Sequence, residues 1–78
     1  MPRYFFHVYD DVIARDDEGV ELPNIEAARL NAIRGARDII AGQVRHGHFV
    51  QSHWIDVVDE NNETVLKVAF RDAVDITA

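Results

Sequence analysis

The chain has 78 residues, 14 acidic against 8 basic side chains, a net charge of −6 and no cysteine. That describes one domain without disulfides or a thiolate metal cluster, with a charge opposite in sign to the one phosphate binding needs. No run approaches the ~18 apolar residues that span a bilayer, and the aromatic start does not read as a signal peptide, so the expected location is cytoplasmic.

Arg3 to Tyr9 is rich in aromatic and β-branched residues and reads as a strand. Alternation puts Tyr4, Phe6 and Val8 on one face and Phe5, His7 and Tyr9 on the other. Asp10-Asp11 ends the run, and Val12 to Arg15 reads as a short second strand of a hairpin. Asp16-Asp17-Glu18-Gly19 is a turn in which acidic side chains can cap backbone amides and Gly19 can take a positive φ. Val20-Glu21-Leu22 then leads to Pro23.

Asn24 is a helix N-cap, and Glu26 places negative charge in the first turn, where the macrodipole favours it. Ile25, Ala28, Ala32, Ile33, Ala36, Ile39, Ile40 and Gln43 follow a helical period and form a stripe that is apolar except for Gln43. Gly35 lies at the stripe's edge, where a close backbone approach would account for it, and Gly42 and Gly47 bracket the helix end.

Val50 to Asp59 and Glu63 to Phe70 are two further strands joined at Asn61-Asn62, a pair suited to a type I′ two-residue turn. That turn sets Val58 opposite Val65, Val57 opposite Leu66, Asp56 opposite Lys67 and Ile55 opposite Val68. Ile55, Val57, Leu66, Val68 and Phe70 then share the core face, and Trp54, Asp56, Val58, Val65, Lys67 and Ala69 the other. Residues 71 to 78 alternate weakly and read as a loose tail. The expected fold is a single α+β domain over residues 1–78, ββαββ, an antiparallel sheet with one long amphipathic helix packed on one face.

The opening Met-Pro-Arg-Tyr-Phe-Phe-His-Val, the turn Asp16 to Gly19, the Glu-Leu-Pro stretch from Glu21 before an Ala/Arg-rich helix, and the final turn Asp59-Glu60-Asn61-Asn62 resemble a family of short bacterial proteins known as a domain of unknown function. The last turn departs from that pattern, with asparagine where the family has glycine. The resemblance implies no activity and carries over no catalytic residue. In outline only, strands followed by a helix entered through Leu-Pro resemble small antitoxin domains related to double-stranded-RNA-binding folds, which implies nucleic-acid or toxin binding.

Four histidines stand out in so short a chain. His46, His48 and His53 are candidate metal ligands, set against a plain reading in which His46 answers the helix dipole and His48 sits in a loop. His7, on the face of Phe5 and Tyr9, is either a base in a pocket or a half-buried strand residue. The acidic run at Asp10-Asp11 and Asp16 to Glu18 lacks a calcium-loop order and reads as solvated turns. Ser52, the single serine, adjoins His53 on a strand where neighbours point to opposite faces, so the two make no nucleophile–base pair. No glycine-rich phosphate loop is present. No enzymatic activity and no cofactor are therefore expected.

Arg29 falls near the middle of the apolar stripe, and a structural ion pair with an acid of the Asp16 to Glu18 turn or the Leu22 lead-in is expected. One helix shields one sheet face, so Trp54, Val58, Val65 and Ala69 are left as a candidate interface. A domain this small has a thin stability margin that a partner subunit can widen. The expected function is a non-enzymatic interaction module, self-associating as a homo-oligomer, with a dimer favoured. Ligand or metal binding through His46, His48 and His53 and antitoxin-like binding are the alternatives. Neither a membrane nor a nucleic acid is an expected partner.

Overall fold

The computed structural model describes residues 1–75 and Thr77. Its elements are β1 (Arg3–Tyr9), β2 (Ile13–Ala14), β3 (Val20–Glu21), α1 (Ile25–Arg45), β4 (Trp54–Val58) and β5 (Thr64–Ala69), followed by a 3-10 turn at Phe70–Asp72. The strands form one antiparallel sheet in the order β2-β1-β4-β5, with β3 paired to β1 as well. The α+β class and the single covering helix are as expected from the sequence.

The sheet has a fifth strand that the sequence pattern does not mark. Two residues, Val20 and Glu21, are too few to show a period, and they pair with β1 at Tyr4 and Arg3. β2 and β3 share one edge of β1, β2 at Val8 and Tyr9 and β3 at the other end. The 15–19 segment between them loops out opposite Phe5 to His7. On its other edge β1 pairs along most of its length with β4, Phe6 facing Val57 and Val8 facing Ile55.

The helix begins where Asn24 caps it, its side chain accepting the Ala27 N–H at 2.9 Å. It ends in a Schellman arrangement: the Gly47 N–H donates to the Val44 carbonyl, the His48 N–H donates to Gln43, and Gly47 takes φ 98°. Its apolar stripe is the expected one from Ala28 onward, with Ala28, Ala32, Ala36 and Ile40 buried and Ile33 and Ile39 packed beside them, whereas Ile25 in the first turn is exposed. These small side chains let the helix lie close on Tyr4, Ile55, Val57, Val68 and Phe70, which with Ala73 complete the core cluster. Gly35 does not mark a forced backbone approach. A Cβ built there meets only the Ile55 Cδ1, at 3.7 Å, an ordinary contact.

The β4–β5 turn corrects the expected type I′ geometry. Only Asn62 has a positive φ, 64°, so the turn is a three-residue loop with Asn62 in the left-handed position. The Asn62 N–H donates to the Asp59 carbonyl, and the Asp59 N–H donates to Glu63. This loop sets Val58 against Thr64 instead of Val65. A bulge between Val57 and Val58 then leaves Val65 unpaired and restores Val57 to Leu66, Asp56 to Lys67 and Ile55 to Val68. The two irregularities cancel, so the aliphatic face is the expected one although the turn is not.

The start of the tail, through Val74, is also more ordered than its weak alternation suggests, while Ile76 and Ala78 lie outside the described residues. Phe70 donates its N–H to the His53 carbonyl at 2.7 Å, Arg71 donates to Gln51, and Arg37 Nε on the helix donates to the Ala73 carbonyl at 2.6 Å. Phe70 and Ala73 are buried and Val74 packs on the core, so this stretch closes the helix side of the sheet. Hydrogen bonds made at long sequence separation, which strand alternation does not register, hold it in place.

Candidate functional site on the open sheet face

Among the described residues no helix covers the second face of the sheet. Cross-strand pairing brings Tyr9 to Trp54, His7 to Asp56 and Phe5 to Val58, and continues from Trp54 to Ala69 and from Asp56 to Lys67. These side chains divide into two regions.

At one end Tyr9 and Trp54 stack, with ring centroids 4.9 Å apart and planes inclined by 4°. Lys67 Nζ lies 4.2 Å from the Trp54 ring centroid, in cation–π contact. Trp54 Nε1 donates to Asp56 Oδ1 at 3.0 Å, which fixes the indole in its plane. The result is a flat, half-buried aromatic platform with an acid and a base beside it.

At the other end the loop after β2 and the turn after β4 flank a cleft of about 300 Å³. Phe5, Val58 and His7 line it between Arg15, Asp16 and Asp17 on one side and Asp59, Glu60 and Asn62 on the other. Asp16 builds the first wall. Its Oδ2 accepts the Phe6 N–H at 3.1 Å, and its Oδ1 accepts from Glu18 and Gly19. Partial burial pushes the Asp16 pKa up, but the backbone N–H groups of Gly19, Phe6 and Glu18 outweigh it and hold the carboxyl below its ordinary 3.8. Gly19 takes φ 71°, as the turn reading anticipated, and a Cβ there would stand 2.9 Å from the Phe5 ring.

The Asp16 backbone N–H donates to His7 Nδ1 at 3.0 Å. A nitrogen that accepts carries no proton, so the neutral imidazole of His7 keeps its hydrogen on Nε2. His7 is 9% exposed, deeper than a half-buried strand residue. The capping role of Asp16 toward Glu18 and Gly19 could be read from the Asp-x-x-Gly spacing. Its bonds to β1 could not, because Phe6 and His7 are distant in sequence. The expectation that this acidic turn is wholly solvated is thereby corrected for Asp16.

The other candidates fall in various places. Val58 is only 6% exposed and leaves the surface patch, because Phe5 stands across from it and the two loops flank it. Val65 is exposed as the bulged residue, and Trp54 and Ala69 are half-buried. Arg29 does meet a carboxylate, that of Glu26 one turn earlier, through two hydrogen bonds. The pair is exposed and lies along the helix, so Arg29 does not reach the Asp16 to Glu18 turn or the Leu22 lead-in. Hydrogen bonding to Arg29 holds the Glu26 carboxyl below its ordinary range, and the same bond raises Arg29.

His46 caps the helix C-terminus, while His53 packs edge-on against Phe70, with Nε2 4.0 Å from Asp11. Among the described residues no three His, Asp or Glu side chains stand where one metal ion could be held. Arg3 and Arg37 are engaged with carbonyls of this chain and Arg29 with Glu26, so these arginines do not form a free basic patch. Among the described residues no helix is long and apolar enough to cross a membrane.

The model of a domain of unknown function, DUF6894, matches residues 3–71, from the first strand through the last. The chain belongs to the DUF6894 family. No curated protein and no solved structure matches it. The match covers both walls of the cleft and the whole aromatic platform, so in this DUF6894 domain the open face is built within the family's own span.

Proposed function

We propose that the protein is a non-enzymatic interaction module that self-associates as a homodimer through the aromatic end of its open sheet face. The observation carrying this reading is the Tyr9–Trp54 stack, held flat by Asp56 and Lys67, with no helix or strand among the described residues laid over it. Aromatic side chains already ordered in one geometry lose little entropy on docking and are favoured as anchors. Val74, which could have folded over this face, packs on the core cluster instead, while Ile76 lies outside the described residues.

A second copy is the occupant that the charges favour. Asp56 and Lys67 are cross-strand neighbours of opposite sign. Two faces related by a twofold axis can therefore set each Lys67 against the other copy's Asp56, as an isologous interface requires. A cytoplasmic location, read from the sequence, belongs to the same proposal. Sedimentation equilibrium across the micromolar range tests it. A concentration-dependent dimer is expected, with Trp54→Ala shifting it to monomer and leaving the far-UV circular dichroism intact. A monomer at high micromolar concentration overturns the reading.

A further inference from the structure

We propose that the cleft at the end of the open face away from the aromatic platform binds a small zwitterion with an apolar side chain, a free α-amino acid being the simplest member of that class. The proposal concerns the opposite end of the open face and does not depend on dimerisation.

It follows from which groups around the cleft are already satisfied. Asp16 is saturated by the Phe6, Glu18 and Gly19 amides. Asp59 Oδ1 accepts from Asn61 and Glu63, and Glu60 accepts from the Arg3 amide. Four polar functions in the lining have no protein partner among the described residues: the Arg15 guanidinium, the Asp17 carboxylate, Nε2 of His7 and the Asn62 side-chain amide. The first two are exposed, whereas His7 is a buried ring whose one accepting nitrogen is taken by the Asp16 N–H.

A guanidinium, an imidazole N–H and a carboxylate, with the neutral Asn62 amide at the rim, over an apolar floor of Phe5 and Val58 specify a ligand. Arg15 and the His7 Nε2–H answer a carboxylate, Asp17 answers an ammonium group, and the floor answers a hydrocarbon side chain. A ligand carrying only an anionic group would meet the excess of acids in the rim, and one carrying only a cation would leave both donors unanswered. The volume of about 300 Å³ suits a molecule of that size.

The test is a 15N-HSQC titration of the full chain with L-leucine, L-leucinamide and N-acetyl-L-leucine. Leucine is expected to give saturable shifts at Phe5, His7, Asp17 and Val58, and each analogue, lacking one charge, to bind about tenfold more weakly. Arg15→Gln and Asp17→Asn are exposed and unpaired, so both should fold as the parent does. Arg15→Gln should narrow the preference for leucine over leucinamide to what the His7 Nε2–H alone supplies, and Asp17→Asn should abolish the preference over N-acetyl-leucine. No saturable shift up to about 20 mM leucine, or an analogue binding as tightly as leucine, overturns the proposal.

Discussion

Asp16 accepts the Phe6 backbone N–H at 3.1 Å on the edge of β1 that β2 and β3 leave open. The carboxylate stands where a neighbouring strand's carbonyl would be, and so bridges the gap in the sheet edge. It is also a wall of the cleft, so the edge and the candidate site depend on one side chain.

Replacing Asp16 by asparagine is expected to cost about 1–2 kcal/mol, allowing for its partial exposure. The sign of the pH dependence follows from its depressed pKa. Stability from this group is complete above the ordinary carboxylate value of 3.8 and is lost as the pH falls through the lower folded value. Melting curves of the parent and Asp16→Asn from acid to neutral pH should therefore differ most near neutrality and converge at the acid end. A constant difference at every pH would contradict this assignment.

Two glycines should respond in opposite senses. Gly35→Ala fills ordinary space beside Ile55 and removes helix-interior glycine, so it should stabilise the fold by about 0.5–1 kcal/mol. Gly19→Ala must hold φ 71° and drive a methyl into the Phe5 ring, and should destabilise by about 1–3 kcal/mol. Urea titrations of the two variants check the pair.

Asn62 occupies the left-handed position of the last turn at φ 64°, where glycine carries no Cβ penalty. Asn62→Gly should keep the bulge and the register and raise the urea midpoint slightly, by up to about 1 kcal/mol in stability. A register slip would instead exchange the faces of β5 and appear as loss of the Lys67–Trp54 contact in indole fluorescence.

Phe70 is fully buried at the junction of β5 and the closing turn, in contact with the core cluster and edge-on to His53. Phe70→Ala should cost about 3–5 kcal/mol, enough to unfold a domain of this size at ambient temperature. Circular dichroism of the variant reads this directly.

Much of the fold was readable from short-range pattern. The helix bounds follow from Asn24 and Gly47, and its buried face from the spacing of Ala28, Ala32, Ala36 and Ile40. The β4–β5 register survived a wrong turn type because the aliphatic face of Ile55, Val57, Leu66 and Val68 is the stronger constraint. The candidate site was readable only in part. Trp54 could be placed on the open face by alternation, but its stack with Tyr9 needs β4 beside β1. Nothing local indicates that Val58 is buried, that Asp16 holds His7, or that Arg29 pairs along the helix and not toward the sheet.

The sequence by itself determined the α+β class, the helix and its apolar stripe, the two faces of each long strand, and the fact that one sheet face has no helix to cover it. These depend on the fixed periods of backbone geometry and on capping groups a few residues apart. Only the tertiary structure decided that β1 lies between β4 and the β2–β3 edge, that a two-residue strand completes that edge, and that two loops close on Phe5, His7 and Val58 to form a cleft. Those features come from groups distant in sequence, whose meeting depends on the whole chain packing at once and leaves no periodic trace in the residues themselves.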